Sequence, residues 1–196
     1  MEKLIRKAFG KRVELSVVNY SSKSLYETNM LKRRARKLLA MPAALIRARG
    51  LVLANVEMDV TSRCTLNCKE CSHLIPHHRR AGDFRDYEIE TLIENVDLLV
   101  GLIDECLRFR VVGGEPLMHR QLDVLLDRLA DERKIKHIQI ATNGTIVPRP
   151  AHICAMANPK ISVFVTDYGN LAPQKDEMVR VLRESGVNVR ISPPEM

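Results

Sequence analysis

Three cysteines within eight residues are the strongest candidates for chemistry in this chain. Cys64, Cys68 and Cys71 follow the spacing C-x3-C-x2-C, and no fourth cysteine stands close by. Thiolates gathered on a short loop favour soft centres such as iron–sulfur clusters or zinc. A structural zinc or a fully ligated cluster normally has four protein ligands. Three cysteines therefore predict a metal centre with one position open for a substrate or cofactor.

Zinc completed by a histidine is the main alternative. His73, His77 and His78 all lie within seven residues of Cys71, and three cysteines with one histidine are an ordinary structural zinc set. A disulfide is less favoured, because five cysteines with three of them clustered are typical of metal binding in a reducing compartment. The spacing alone leaves iron–sulfur and zinc centres open.

A second motif, Gly113-Gly114-Glu115-Pro116, follows a later apolar run. Two adjacent glycines let a ligand approach the backbone closely. The proline keeps the residue before it out of the helical conformation. Such a stretch could grip an amino group, although by itself it is also typical of a plain turn at the end of a strand.

Around both motifs, segments with the two-residue apolar period of strands alternate with segments that have the 3.6-residue apolar period of helices. This pattern predicts an α/β fold. Strands with helices between them indicate βαβ units and a parallel sheet, whose active sites lie at the carboxyl ends of the strands. Both motifs stand at such ends. Cys106 and Cys154 are predicted to be buried core thiols. The predicted strands cover 51–60, 107–112, 135–141, 161–165 and 187–191, and the predicted helices cover 86–105, 122–129, a short stretch around Cys154, and 174–185.

Charge divides the chain into two parts. Residues 1–50 carry 13 Lys/Arg and 3 Asp/Glu, a balance of +10, whereas residues 51–196 carry 18 and 21, a balance of −3. We therefore predict a basic, mostly helical N-terminal extension over 1–50, with a helix over 26–41, and one α/β domain over 51–196. The basic run at 32–37 could meet phosphate, anionic lipid or an acidic partner. A solvated helix face is the ordinary alternative.

The sequence predicts a cytoplasmic protein. No run of about 18 uncharged apolar residues is present, as a transmembrane helix would require. The first residues, MEKLIRKAFGKR, are too highly charged for the apolar region of a signal peptide.

Together, the cysteine motif after the first strand and Gly113 to Pro116 after the second resemble the radical S-adenosylmethionine (radical SAM) superfamily over about residues 52–192. The resemblance implies a partial barrel with parallel strands, in which this chain supplies about five of six βα units. It also implies a [4Fe-4S] cluster on Cys64, Cys68 and Cys71, with SAM chelating the fourth iron. In such enzymes the cofactor performs the difficult chemistry, and the protein orients it.

Further SAM contacts are implied at the ends of three strands. Gly113, Gly114, Glu115 and Pro116 are expected to contact the methionine amino group. Thr142-Asn143 and Thr166-Asp167 resemble the places where such enzymes hold the ribose and carboxylate of SAM, and their side chains can make the hydrogen bonds. Before Gly144, Asn143 could equally be a plain turn residue.

The resemblance implies an oxidoreductase with an unidentified substrate. Reductive cleavage of SAM would yield a 5′-deoxyadenosyl radical that abstracts hydrogen, with an electron donor such as a flavodoxin or ferredoxin. Two departures stand out: Glu70 occupies a position that is usually aromatic, and the chain stops before a sixth strand. The interpretations are a minimal member, a truncated product, or one half of a complex. The alternative function is a non-catalytic iron–sulfur or zinc module that docks a partner through its basic arm.

Overall fold

Strands and helices alternate along residues 51–192, the part of the chain that the computed structural model describes. The predicted extension over 1–50, its helix over 26–41, its basic run and the last four residues lie outside the described range. Within that range no helix is long and apolar enough to span a bilayer.

The strands and helices have the following bounds. The strands are β1 (Val52–Leu53), β2 (Val56–Asp59), β3 (Glu105–Cys106), β4 (Phe109–Val112), β5 (Ile138–Thr142), β6 (Ile161–Thr166) and β7 (Asn188–Ser192). The helices are α1 (Ile75–Ala81), α2 (Ile89–Leu102), α3 (Leu122–Asp131), α4 (Pro150–Met156) and α5 (Lys175–Glu184).

The main sheet has five parallel strands in the order β2-β4-β5-β6-β7. A two-stranded parallel ladder of β1 and β3 lies outside it. Consecutive strands of the main sheet are joined by crossovers that contain helix, as parallel pairing requires. The predicted α/β class with parallel strands is confirmed.

The core lies between one face of this sheet and the helices. Phe109 and Val111 on β4, and Ile138 and Ile140 on β5, are completely buried on this face. Helix α3 adds four buried leucines at a spacing of three to four residues, which is the pattern of one helical face. Burying each leucine contributes about 1.5–3 kcal/mol, so packing holds the strand ends where they are. These leucines are Leu122, Leu125, Leu126 and Leu129.

The region around Cys106 differs from the prediction. Helix α2 ends at Leu102, and the chain is already extended at Ile103. Buried Cys106 lies in β3, rather than at a helix end, and forms a bridge with Ile135. The side-chain amine of Lys134 donates to the carbonyls of Val100 and Ile103 at 2.6 and 2.9 Å. That tertiary contact satisfies the helix end, and periodicity within α2 does not reveal it.

The first predicted strand is divided into β1 and β2 by a bend at Ala54. Each half pairs with a different partner, β3 or β4, and the side chain of Asn55 accepts a hydrogen bond from Arg108 at 2.8 Å beside the break. Helix α1 is absent from the prediction, although Pro76 in its first turn and Gly82 after its end are ordinary helix boundary signals.

Cys154 is exposed, so the prediction of a buried core thiol there is wrong. Helix α4 does form around it as expected. The buried face of this helix consists of His152, Ala155 and Met156, and the helical period places Cys154 on the solvent side. The same prediction is confirmed for Cys106.

Candidate active site

A cavity of about 730 Å³ opens along the sheet face that the helices leave uncovered. Cys64, Cys68 and Cys71 line one end, together with Gly113 and Gly114. The two motifs are 42 residues apart in sequence (71 to 113), yet parallel pairing of β2 with β4 brings both to one sheet edge. The predicted juxtaposition of the motifs is therefore present in the structure.

The backbone of the glycine motif lies directly against the cysteine loop. Gly114 N–H donates to the carbonyl of Thr61, and Glu115 N–H donates to that of Arg63, both at 2.8 Å. A Cβ on Gly114 would lie 2.1 Å from the Arg63 carbonyl oxygen and 3.0 Å from Cβ of Cys64. Only glycine allows this approach, so position 114 determines where the cysteine loop sits.

Glu115 is completely buried and turns away from the cavity. Its carboxylate accepts hydrogen bonds from the amide of Leu117 at 3.1 Å, the hydroxyl of Thr142 at 2.8 Å and the amide of Asn143 at 2.8 Å. Burial raises its pKa to about 7, against the lowering effect of these donors. The side chain thus joins the ends of β4 and β5, and Pro116 beside it is also buried.

Asn143 is both a turn residue and a contact of the cysteine loop. Its side-chain oxygen accepts from the amide of Thr145 at 3.0 Å, as in an Asx turn. Its side-chain nitrogen donates to the hydroxyl of Thr65 at 3.1 Å and to the sulfur of Cys64 at 3.5 Å. The turn alternative is therefore confirmed, and the contact of Asn143 with SAM stays a prediction.

The Cys64 thiol is half-buried in the cysteine loop. Burial raises its pKa to about 11, and the negative charge of Glu115 adds to the effect. The amide of Leu66 donates to the same sulfur at 3.4 Å and opposes the rise. Without a bound cation this sulfur is held as a thiol, so a metal would have to displace its proton.

Tyr168 is a residue of the cavity that the sequence did not single out. Its pKa is raised to about 12, chiefly by burial and then by the neighbouring Cys68 and Cys71, with a hydrogen bond to Cys68. It supplies an aromatic ring to the cavity lining, to which Glu70 also belongs. The signal was its position two residues after Thr166, at the end of β6.

Of the pair at the end of β6, only Thr166 lines the cavity. Asp167 instead forms an ion pair with Lys175 at 2.6 Å and accepts the amide of Gly169 at 2.9 Å. Hydrogen bonding by Lys175 lowers the pKa of Asp167. The structure thus brings Thr166, but not the Asp167 carboxylate, to the cysteine end.

The nearby histidines all have other partners. Within residues 51–192 no set of three His, Cys, Asp or Glu side chains is drawn close enough to hold a single ion, and all five cysteines are free. Each of the three histidines is paired through Nδ1, and a metal-binding histidine commonly keeps such a bond on one ring nitrogen while it ligates through the other. The pairs are His73 with Asp59 at 2.7 Å, His77 with Arg80 at 3.3 Å, and His78 with Asp83 at 2.9 Å.

Comparison with known protein families decides the affiliation. A sequence profile of the Radical SAM superfamily matches residues 58–193. The chain belongs to the radical SAM superfamily. Members use a [4Fe-4S] cluster and SAM, so the predicted family and cofactors are confirmed. Three cysteines on one cavity wall, beside a glycine backbone that admits no Cβ, form a donor set that fits this pair of cofactors.

Curated relatives of this radical SAM chain are longer proteins. The GTP 3′,8-cyclase of Geobacter sulfurreducens is 29% identical over 108 residues, which are 55% of this chain and 32% of the cyclase. The 7,8-dihydro-6-hydroxymethylpterin dimethyltransferase of Methanocaldococcus jannaschii is 32% identical over 93 residues, which are 47% of this chain and 17% of that enzyme. The chain thus matches about a third or less of these relatives.

Solved structures of radical SAM proteins share the fold. Streptococcus suis SuiB bound to the precursor peptide SuiA superposes with a TM-score of 0.56 at 18% identity, covering 97% of this chain and 43% of SuiB. Native anSMEcpe with bound AdoMet and the Cp18Cys peptide gives a TM-score of 0.51 at 17% identity, covering 72% and 42%. At such identities the likeness concerns the fold alone.

Proposed function

We propose that this chain is a radical SAM oxidoreductase. When bound, the cluster and SAM would supply a 5′-deoxyadenosyl radical that abstracts hydrogen from the substrate. Cys64, Cys68 and Cys71 would hold the cluster. The observation that carries the proposal is the close approach of Gly114 to Arg63 and Cys64, which packs the glycine backbone directly against the cysteine loop.

The remaining residues would position SAM and exclude water. The backbone of Gly113 to Pro116 would receive the methionine amino group, while buried Glu115 would hold that backbone against β5. Asn143 and Thr166 would face the ribose and carboxylate of SAM. The predicted role of Asp167 would require its ion pair with Lys175 to open.

Anaerobic reconstitution tests the proposal. The full chain, loaded with iron and sulfide and then reduced, should convert SAM to near-stoichiometric 5′-deoxyadenosine. Cys68→Ala should lose iron and cleavage together, whereas Cys154→Ala, which removes an exposed thiol, should retain both. Tight zinc and no cleavage in the unmodified chain would contradict the enzyme and favour the non-catalytic module.

Electron supply and location follow from the same proposal. A flavodoxin or ferredoxin would deliver the reducing electron, and the cytoplasm would keep the five free cysteines reduced. The measurement is whether a reduced flavodoxin replaces dithionite in the cleavage assay. Failure with both flavodoxin and ferredoxin would exclude these donors.

We further propose that residues 1–50 form a separate arm that recruits an acidic partner. Their balance of +10 against −3 in the rest of the chain supports attraction to negative charge. Deleting residues 1–48 should leave SAM cleavage intact. Loss of cleavage would instead place this segment within the catalytic fold.

A further inference from the structure

The cavity face of the main sheet carries polar residues across several strands. Glu57 on β2 pairs in register with Arg110 on β4, which pairs with Gln139 on β5 and then with Ser162 on β6. Alternation along a strand places these side chains opposite the buried apolar face. Buried polar groups need hydrogen-bond partners, which Arg110 supplies for Glu57 and His137 supplies for Ser162. A polar ligand on this face would meet polar side chains.

Positive charge exceeds negative charge at the end of the cavity away from the cysteines. Glu57, Arg108 and Arg110 line this end, and the only ion pair among them joins Glu57 to Arg110. Arg108 donates through Nε to the amide oxygen of Asn55 at 2.8 Å, a neutral partner. Among the described residues none binds the two terminal nitrogens of Arg108, which therefore remain available for another ligand.

Arg190 and His137 also indicate a positive electrostatic potential near this end of the cavity. On β7, Arg190 stands on the same sheet face and makes no ion pair within residues 51–192. The pKa of His137 is lowered by burial and then by the charges of Arg190 and Arg108. His137 hydrogen-bonds the hydroxyl of Ser162 at 2.8 Å. The positive potential of Arg108 and Arg190 therefore extends to the polar row.

The spacing along β4 sets the size of a suitable ligand. Arg108 stands five residues before Gly113, which corresponds to about 16 Å of extended strand. A molecule that reacts at the cysteine end would need an anionic group roughly this far away to reach Arg108. An arginine fork matches the paired oxygens of phosphate and carboxylate.

We propose that the Arg108 end of the cavity binds an oxyanion group, phosphate or carboxylate, of the substrate. Arg108 would contact the anion directly, and Arg110 would add charge beside it. This inference rests on the proposed function for the reacting end of the substrate. The anion site itself requires neither cluster nor SAM.

Calorimetric titration of the full chain with pyrophosphate and, separately, with succinate tests the site. Arg108→Gln should weaken binding about tenfold, which corresponds to about 1.4 kcal/mol, and Arg108→Lys should weaken it less because the charge is kept. Glu57→Gln should tighten binding, since it removes the carboxylate paired with Arg110. Preference for pyrophosphate or for succinate identifies which oxyanion the site takes.

Arg183→Gln provides the matched control, because Arg183 is an exposed arginine on α5. Equal weakening by Arg108→Gln and Arg183→Gln, or no weakening by Arg108→Gln, would overturn the inference. SAM cleavage is measured on the same unmodified preparation. Anion binding that depends on Arg108 without cleavage refutes the proposed function alone, and cleavage without such binding refutes the anion site alone.

Discussion

Burial of Glu115 should make this protein less stable as the pH rises. In the folded chain the pKa of Glu115 is about 7, against an ordinary value of 4.5, because its carboxyl is fully buried. The folded state therefore holds this proton more tightly than the unfolded state does. The free energy of unfolding should fall between pH 4.5 and pH 7 and be constant above that range.

The size of this loss follows from the two pKa values. Each pKa unit corresponds to about 1.4 kcal/mol, so the change from 4.5 to about 7 amounts to about 3 kcal/mol. Glu115→Gln cannot titrate, and it removes the loss. It introduces a different cost of about 1–3 kcal/mol, because the glutamine amide nitrogen must face one of the donors that now reach the carboxylate. That second cost does not vary with pH.

The assay is urea unfolding of the metal-free full chain, followed by far-ultraviolet circular dichroism at pH 5, 6, 7 and 8. The stability of the unmodified chain relative to Glu115→Gln should decrease by about 2–3 kcal/mol from pH 5 to pH 8. Glu94→Gln, on an exposed position of α2, controls for the loss of one negative charge. If the difference in free energy of unfolding between the unmodified chain and Glu115→Gln does not change with pH, the reasoning is refuted. The three hydrogen-bond donors to Glu115 would then outweigh the effect of burial on its pKa.

Further predictions concern the cysteine loop and the glycine that packs against it. With Cys64 at a pKa of about 11 rather than 9.0, its thiolate is about 100-fold rarer, and greater intrinsic nucleophilicity recovers about tenfold. Alkylation by iodoacetamide at pH 8 in metal-free protein, mapped by mass spectrometry, should therefore be about tenfold slower than at an ordinary thiol; labelling as fast as that of exposed Cys154 would contradict this. Gly114→Ala should abolish SAM binding in equilibrium dialysis because its Cβ meets backbone. The control is Gly101→Ala, whose added Cβ would lie in open space on α2. This variant should bind SAM normally and gain about 0.5–1 kcal/mol of stability. Normal SAM binding by Gly114→Ala would refute the close approach.

Much of the fold could be predicted because its signals are local. The apolar stripe of α3 and the alternation in β4 are written in consecutive residues, and each survives in the structure with small shifts of its ends. The division of the first strand could not be predicted in the same way. It depends on pairing with β3 and β4, whose partners are about 50 residues away.

The candidate site likewise has parts that the local sequence predicts and parts that it does not. The sequence predicts that the stretch containing Glu115 contacts SAM, but it does not indicate that the Glu115 carboxylate points into the protein toward β5. The position of Tyr168 just after β6 is a local signal, but the contact of its hydroxyl with Cys68 is not visible in the local sequence. Side-chain direction depends on packing between distant segments, which spacing does not encode.

The sequence by itself determined the cysteine set, the glycine motif and their order on a parallel sheet. These follow from residue types and short spacings, since thiolates favour soft metal centres and apolar periodicity indicates strand or helix. Only the tertiary structure decided that Gly114 packs on Cys64, that Asn143 reaches the same sulfur, and that Arg108 faces the other end of the cavity. Each of these arrangements forms because parallel strand pairing brings together residues that are far apart in the chain.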